Sequence, residues 1–192
     1  MLMGLSPQPV MARTLLVVGD SLSAAYGMDL KSGWVTLLHQ RLERDKHDYQ
    51  VVNASVSGDT TANGLSRLSG LLIEHKPEIV LIELGGNDGL RGLSLKQMKH
   101  NISAMVKKAK SKHARVLLLG MRLPPNYGKS YTERFQNVYR EISAEHKVAL
   151  LPFLLDGIAT NRNLMQADGI HAAAQAQDKI MENVWPHLSP ML

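Results

Sequence analysis

Residues 78–84 read Glu-Ile-Val-Leu-Ile-Glu-Leu and run directly into Gly-Gly-Asn-Asp-Gly at 85–89. The apolar run is nearly continuous rather than alternating, which is the pattern of a strand covered on both faces. The glycines that follow end it abruptly. A strand covered on both sides needs helices above and below it, so this stretch argues for a parallel α/β sheet.

The pattern repeats outward from there. Further strands are expected at 14–18, 50–54, 115–120 and 148–153, each rich in Val, Ile and Leu. Between them, helical spacing of apolar residues marks 34–44, 60–75, 95–112 and 131–146, and a last helix is expected at 172–185, ending before Pro186. Gly64 and Gly70 weaken the second of these. Strands alternating with helices of this length predict an α/β chain with a five-stranded parallel sheet and helices on both faces. An eightfold barrel needs at least about 200 residues, so five units in a 192-residue chain suit an open sheet. No break in composition divides 13–192, which reads as a single domain.

Composition narrows the function classes. With 44% apolar and 20% charged residues the chain is that of a globular protein, and it holds no stretch of about 18 apolar residues that could span a membrane. The absence of cysteine excludes disulfides, thiolate metal sites and a cysteine nucleophile. The net charge of +5 is uneven: Arg91, Lys96, Lys99, Lys107, Lys108, Lys110, Lys112, Arg115, Arg122 and Lys129 fall in a stretch without one acid. Most of these alternate with Leu95, Met98, Ile102, Met105, Val106 and Ala109, so they read as the solvated face of a helix. No aromatic residue lies among them before Tyr127 to stack on a base, and no nucleic-acid partner is expected. Weak association with anionic lipid surfaces is compatible with the charge.

At the N-terminus, Met1–Leu5 is apolar, 6–9 is turn-like, and Val10-Met-Ala12 sets small residues at a cleavage-like spacing. Residues 1–12 are therefore expected to be a leader, the remnant of a secretory signal without its basic region, and the protein is expected in the periplasm or secreted. The cytoplasm, with a frayed leader, is the alternative.

Ligands of open parallel sheets bind beyond the carboxyl ends of the strands. The first expected strand is followed by Gly19-Asp-Ser-Leu-Ser23, the second by Ser55-Val-Ser-Gly-Asp-Thr60, and the third by the Gly-Gly-Asn-Asp-Gly quoted above. Gln166-Ala-Asp-Gly-Ile-His171 stands just before the last helix. These segments supply a hydroxyl, a glycine turn, a carboxamide and an Asp/His pair, the parts that acyl transfer requires. Asp168 and His171, three residues apart, let a carboxylate reach Nδ1 and free Nε2 to accept a proton. Each part also has a plainer reading: Ser21 as a helix cap, Asn87 as a turn residue, Asp168 as a cap beside a surface histidine. The glycine spacing matches neither a dinucleotide fingerprint nor a P-loop. The other seven histidines lie in helical stretches with charged neighbours and read as surface residues.

Taken together and in this order, the segments resemble the SGNH (GDSL) hydrolase superfamily, with Ser21, Gly58, Asn87 and His171 as its four signature residues. The blocks at 19–26, 52–59, 82–92, 123–128 and 165–171 look like its bacterial thioesterase I/lysophospholipase/arylesterase branch. The resemblance covers residues 13–192. It implies a three-layer, flavodoxin-like sandwich with strand order 2-1-3-4-5 and a shallow, exposed site. By the same resemblance Ser21 is the nucleophile, His171 the base and Asp168 its orienting acid, while Ser21 N–H, Gly58 N–H and the Asn87 amide hold the oxyanion. No metal or other cofactor is required. Tyr127, after the fourth strand, is expected to border the acyl groove. One departure stands out: the branch usually has proline after its catalytic histidine, and here the residue is Ala172.

The expected activity is hydrolysis of acyl esters and thioesters, including acyl-CoA and lysophospholipids, by a monomer. A carbohydrate O-acetylesterase on the same fold is the near alternative, because fold does not fix substrate. A non-catalytic phosphate- or nucleotide-binding domain, or a basic interaction protein, is the alternative from another class.

Overall fold

The computed structural model describes residues 12–192. The leader expected at 1–12 falls outside them except for Ala12. Five parallel strands form one sheet: β1 (Arg13–Gly19), β2 (Tyr49–Asn53), β3 (Ile79–Glu83), β4 (Arg115–Leu119) and β5 (Ala149–Leu151), in the order β2-β1-β3-β4-β5. The order follows from burial. β3 and residues 15–18 of β1 are wholly buried, as is all of β4 but its first residue, whereas the edge strands β2 and β5 keep exposed positions. In register, Leu15 lies between Val51 and Ile79, and Leu81 between Val17 and Leu117.

Six helices cover the sheet: α1 (Trp34–Arg44), α2 (Thr61–His75), α3 (Gly86–Leu90), α4 (Leu95–Ser111), α5 (Lys129–His146) and α6 (Gln177–Leu188). α1 packs with α6 on one face, and α4 packs between α2 and α5 on the other. The inward stripe of α4 is the one its spacing marked: Met98, Ile102, Met105, Val106 and Ala109 are buried. On its outer side Lys99 pairs with Glu141 and Lys108 reaches Ser69. Gly64 has a packing reason to stand in α2. A Cβ at this position would run into Leu84 Cδ1, so glycine lets the helix settle close to the end of β3.

The structure departs from the sequence-based expectations in five places. β5 is only three residues long, because Pro152 has no N–H to continue the ladder at this edge. The last helix starts at Gln177 rather than 172: residues 174–176 form a single 3₁₀ turn, and Met165 bridges Ala172 instead. It also runs through Pro186, whose missing N–H falls in the last turn while Leu188 beyond it is fully buried. α3 has no counterpart in the sequence reading; its five residues are mostly glycine and turn formers. The His146 ring is no surface group, being 9% exposed in its side chain.

Candidate active site

Ser21, Gly58, Asn87, Asp168 and His171 converge at the carboxyl edge of the sheet. Ser21 stands in the turn that leaves β1, held by bonds from Ala24 N–H to Asp20 O (3.0 Å) and from Tyr26 N–H to Ser21 O (3.2 Å). No regular helix begins there, so the capping role is excluded. His171 Nε2 lies 2.8 Å from Ser21 Oγ, and His171 Nδ1 lies 2.6 Å from Asp168 Oδ2. Asp168 Oδ1 accepts from the backbone N–H of Ile170 (2.9 Å) and His171 (3.0 Å). Partial desolvation works to raise this carboxyl, but the His171 backbone and ring bonds and the Ile170 N–H outweigh it and hold it down at about 2. Asp168 is therefore an anion throughout the neutral range, and it fixes the tautomer in which Nε2 can accept from Ser21.

The His171 loop is braced from both sides. The Tyr26 ring lies over His171, centroids 4.6 Å apart. Gln166 Nε2 donates to Tyr26 O (2.9 Å) and Ala172 O (3.1 Å), tying the two loops together. Gln166 N–H to His171 O (2.7 Å) and Ala173 N–H to Leu164 O (2.8 Å) complete the clamp. These bonds fix the chain at Ala172, where the resembling branch carries proline. Tyr26 and Gln166 stand in quoted motifs, but nothing in their residue types signalled the stacking or the tie.

On the other side of Ser21, Gly58 sits at φ +84°, a conformation that glycine reaches without strain. Neither the Ser21 nor the Gly58 backbone N–H has an acceptor among the described residues. Arg67 of α2 anchors the Gly58 loop: Nε bonds Asp59 Oδ2 (2.8 Å), and the other nitrogens reach the Ala54 and Gly19 carbonyls. Asn87 lies in the first turn of α3. Its Nδ2 donates to Asp20 Oδ2 (3.1 Å) and Asp59 O (3.0 Å), and Arg91 faces its Oδ1 at 3.4 Å. Next to it, buried Asp88 accepts from Thr61 N–H (2.8 Å) and Thr61 Oγ1 (2.6 Å) at the start of α2. That bond also places a carboxylate at the positive end of the helix. Asp88 thus fixes where α3, and with it Asn87, can stand.

The group opens into a cleft of about 640 Å³, within the ordinary range for small-molecule sites. Leu90, Met121, Leu123, Phe153, Leu155 and Ile170 make much of its wall apolar. Tyr127 is not on that wall. It belongs to a 3₁₀ turn (Pro125–Tyr127) whose Pro125 lines the cleft, while the Tyr127 hydroxyl donates to the carbonyl of Leu90, a wall residue (3.0 Å). No group of three metal-binding side chains occurs among the described residues.

A five-stranded sheet in the order 2-1-3-4-5 is what the sequence resemblance called for, and comparison with known proteins agrees. The profile of the GDSL-like Lipase/Acylhydrolase family matches residues 17–179. Esterase TesA of Pseudomonas aeruginosa is 56% identical over 96% of this chain and 92% of its own length. Thioesterase 1/protease 1/lysophospholipase L1 of Escherichia coli K12 is 42% identical over 94% of this chain and 86% of its own. A crystal structure of TesA superposes with a TM-score of 0.93 at 56% identity, covering 94% of this chain and all of that one. By its sequence, its fold and the order of its motifs, the chain belongs to the GDSL-like lipase/acylhydrolase family.

Proposed function

We propose that the protein is a serine hydrolase of carboxylic esters and thioesters, working through an acyl-enzyme on Ser21. The observation that carries this reading is the unbroken chain from Ser21 Oγ to His171 Nε2 and from His171 Nδ1 to Asp168, at 2.8 and 2.6 Å. Ser21 Oγ attacks the acyl carbon while its proton passes to His171 Nε2. The charge that builds on the carbonyl oxygen is taken by Ser21 N–H, Gly58 N–H and the Asn87 amide. The carbon–oxygen or carbon–sulfur bond then breaks, and the alcohol or thiol leaves with the proton from His171. Water, deprotonated by the same nitrogen, attacks the acyl-serine and returns the enzyme. No step needs a metal or cofactor.

The relatives named an esterase and a thioesterase/lysophospholipase support acyl esters, acyl-CoA and lysophospholipids as the substrate class. The apolar wall favours an acyl chain over a sugar, which would need hydrogen-bonding partners along the cleft. One chain supplies every catalytic part, which supports a monomer as the working unit. No described helix is long and apolar enough to cross a membrane. Export to the periplasm is part of this reading, supported by the small residues at 10–12, and cell fractionation tests it.

A fatty-chain organophosphonate should give one covalent adduct in intact-mass spectrometry, absent in Ser21→Ala. An adduct that persists in the variant would overturn the assignment of the nucleophile. A panel of acetylated sugars, acyl esters and acyl-CoAs of increasing length sets the substrate class, and turnover confined to the sugars would favour the O-acetylesterase.

A further inference from the structure

Beneath the Ser21 turn lie two carboxyl groups that the acyl-transfer steps leave unused. Glu83, at the end of β3, is fully buried, and Asp20 is 3% exposed. Glu83 Oε2 accepts from Asp20 N–H (3.2 Å) and Ser23 Oγ–H (2.8 Å). Asp20 Oδ1 accepts from Leu22 N–H (3.1 Å), and Oδ2 from the Asn87 amide (3.1 Å). The two carboxyls are in hydrogen-bond contact, yet Glu83 Oε1 has no donor facing it among the described residues.

Among the described residues no lysine or arginine pairs with either of them. From α2, Arg67 pairs with Asp59; from α3, Asp88 is taken up by Thr61; from α5, Tyr139 gives its hydroxyl hydrogen to Leu84 O. His171 faces Asp20 from the opposite loop. Two buried carboxylates in contact and without a lysine or arginine partner cannot both be charged. The pair therefore keeps one proton, and burial together with the Asp20 charge favours holding it on Glu83, which then donates to Asp20. Burial raises both groups, Asp20 to about 6 and Glu83 well above its usual range.

We infer that Asp20 is a positioning residue: braced by Glu83, its carboxylate keeps one hydrogen of the Asn87 amide so that the other can pass from the Asp59 carbonyl to the oxyanion. The inference rests on the reading of Asn87 as an oxyanion donor. In the free protein both amide hydrogens have acceptors, one a carboxylate and the other a neutral carbonyl. The charge-assisted bond to Asp20 is the stronger, so the forming oxyanion displaces the Asp59 carbonyl. Protonation of Asp20 weakens its grip and lets the amide rotate. Acid then slows turnover through a second proton, besides the one that blocks His171.

The test is steady-state kinetics across pH on the wild type, Asp20→Asn, Asn87→Ala and the double variant. Asn87→Ala should lower kcat by about 10²–10³ with KM nearly unchanged. Asp20→Asn should lower it by roughly 10- to 100-fold, the scale of one weakened bond to a charged group. In the Asn87→Ala background Asp20→Asn should add little, and the acid limb of kcat should steepen with two protons in the wild type but with one in Asp20→Asn. Fully additive losses, or a two-proton limb that survives Asp20→Asn, overturn the inference while leaving Asn87 as a donor. An Asn87→Ala protein with undiminished kcat overturns the oxyanion reading and the inference with it. A readout free of both activity and folding of the Asp20 variant is infrared difference spectroscopy of the wild type. A protonated carboxyl band should be present at neutral pH and missing in Glu83→Gln; its absence from the wild type also overturns the inference.

Discussion

Asp168 does two jobs with two oxygens. Oδ1 takes the backbone N–H groups of Ile170 and His171, which shapes the loop, and Oδ2 takes the ring Nδ1–H, which selects the tautomer. Asp168→Asn separates them. The amide oxygen still satisfies the loop, but Nδ2 meets Nδ1 as donor against donor, and the ring moves its proton to Nε2. Nε2 then has no lone pair for the Ser21 proton. We expect kcat to fall by roughly 10⁴, the order found for the same change in a serine-protease triad, with KM and fold nearly intact. Kinetics together with circular dichroism check this, and a kcat near wild type would remove Asp168 from the mechanism. Tyr26 adds a restraint that the charges do not provide, since its ring over His171 limits how the imidazole can tilt.

At the scale of elements, the geometry of the candidate site depends on how α2 and α3 meet the end of β3. α2 begins with a capping box in which the Thr60 hydroxyl and the Asn63 side chain serve one another's backbone N–H, and this fixes the chain directly after Gly58. Its first turn holds Asp88 through Thr61, while its Gly64 presses on Leu84. Gly64→Ala puts a methyl group into the space of Leu84, and the helix must back away from β3. Gly64 is also buried, so the clash has no outlet to solvent. We expect the helix-propensity gain of alanine to be lost and stability to drop by about 1–3 kcal/mol, the usual range for overpacking. Urea denaturation measures it. A stabilised Gly64→Ala protein would show that the contact between α2 and β3 has slack. Gly70, on the same helix, has open space where its Cβ would stand, so Gly70→Ala serves as the control that should gain stability.

For the whole molecule, the site costs stability in the range where it works. Asp20 is raised to about 6 by burial, so between about pH 4 and pH 6 the folded protein holds a proton that the unfolded chain has released. Stability contributed by this group is present below that window and declines as pH rises through it, by about 3 kcal/mol in all. Glu83 acts in the same direction at higher pH. Asp168 acts in the opposite sense: lowered to about 2, it stabilises above its unfolded value and loses that contribution as pH falls toward 2. The melting temperature of the wild type should therefore fall between pH 4 and pH 6 relative to Asp20→Asn, by roughly 6–12 °C for a chain of this size. Parallel melting curves for the two proteins over this window check the claim, and equal slopes would remove the buried pair as a source of strain. The ionised Asp20 that destabilises the fold is the form that holds Asn87, a trade between stability and function common at active sites.

Much of this was legible in the sequence because periodicity and strand-end position are local properties. Val, Ile and Leu at 15–18 and 79–82 need two covering layers wherever they lie, and a parallel sheet sends the residues after each strand to one edge. Ser21, Gly58, Asn87, Asp168 and His171 could be picked out for that reason, together with their resemblance to a known family. The Asp168–His171 contact spans three residues, so the chain itself brings the partners together. What the sequence could not carry are contacts between residues far apart along it. The apolar run at 79–83 hides the acid that ends it, and only the pairing of β1 with β3 sets Glu83 beneath Asp20, 63 residues away. Tyr127 follows the expected strand and still does not line the cleft; its hydroxyl is spent on the Leu90 carbonyl 37 residues earlier. α3 forms from glycines with little helical preference since Asp88 is held by Thr61, 27 residues before it. Residue type and spacing chose the parts of the site; packing of distant segments decided which N–H groups lack an acceptor, which carboxyls are buried together and which side chains line the cleft.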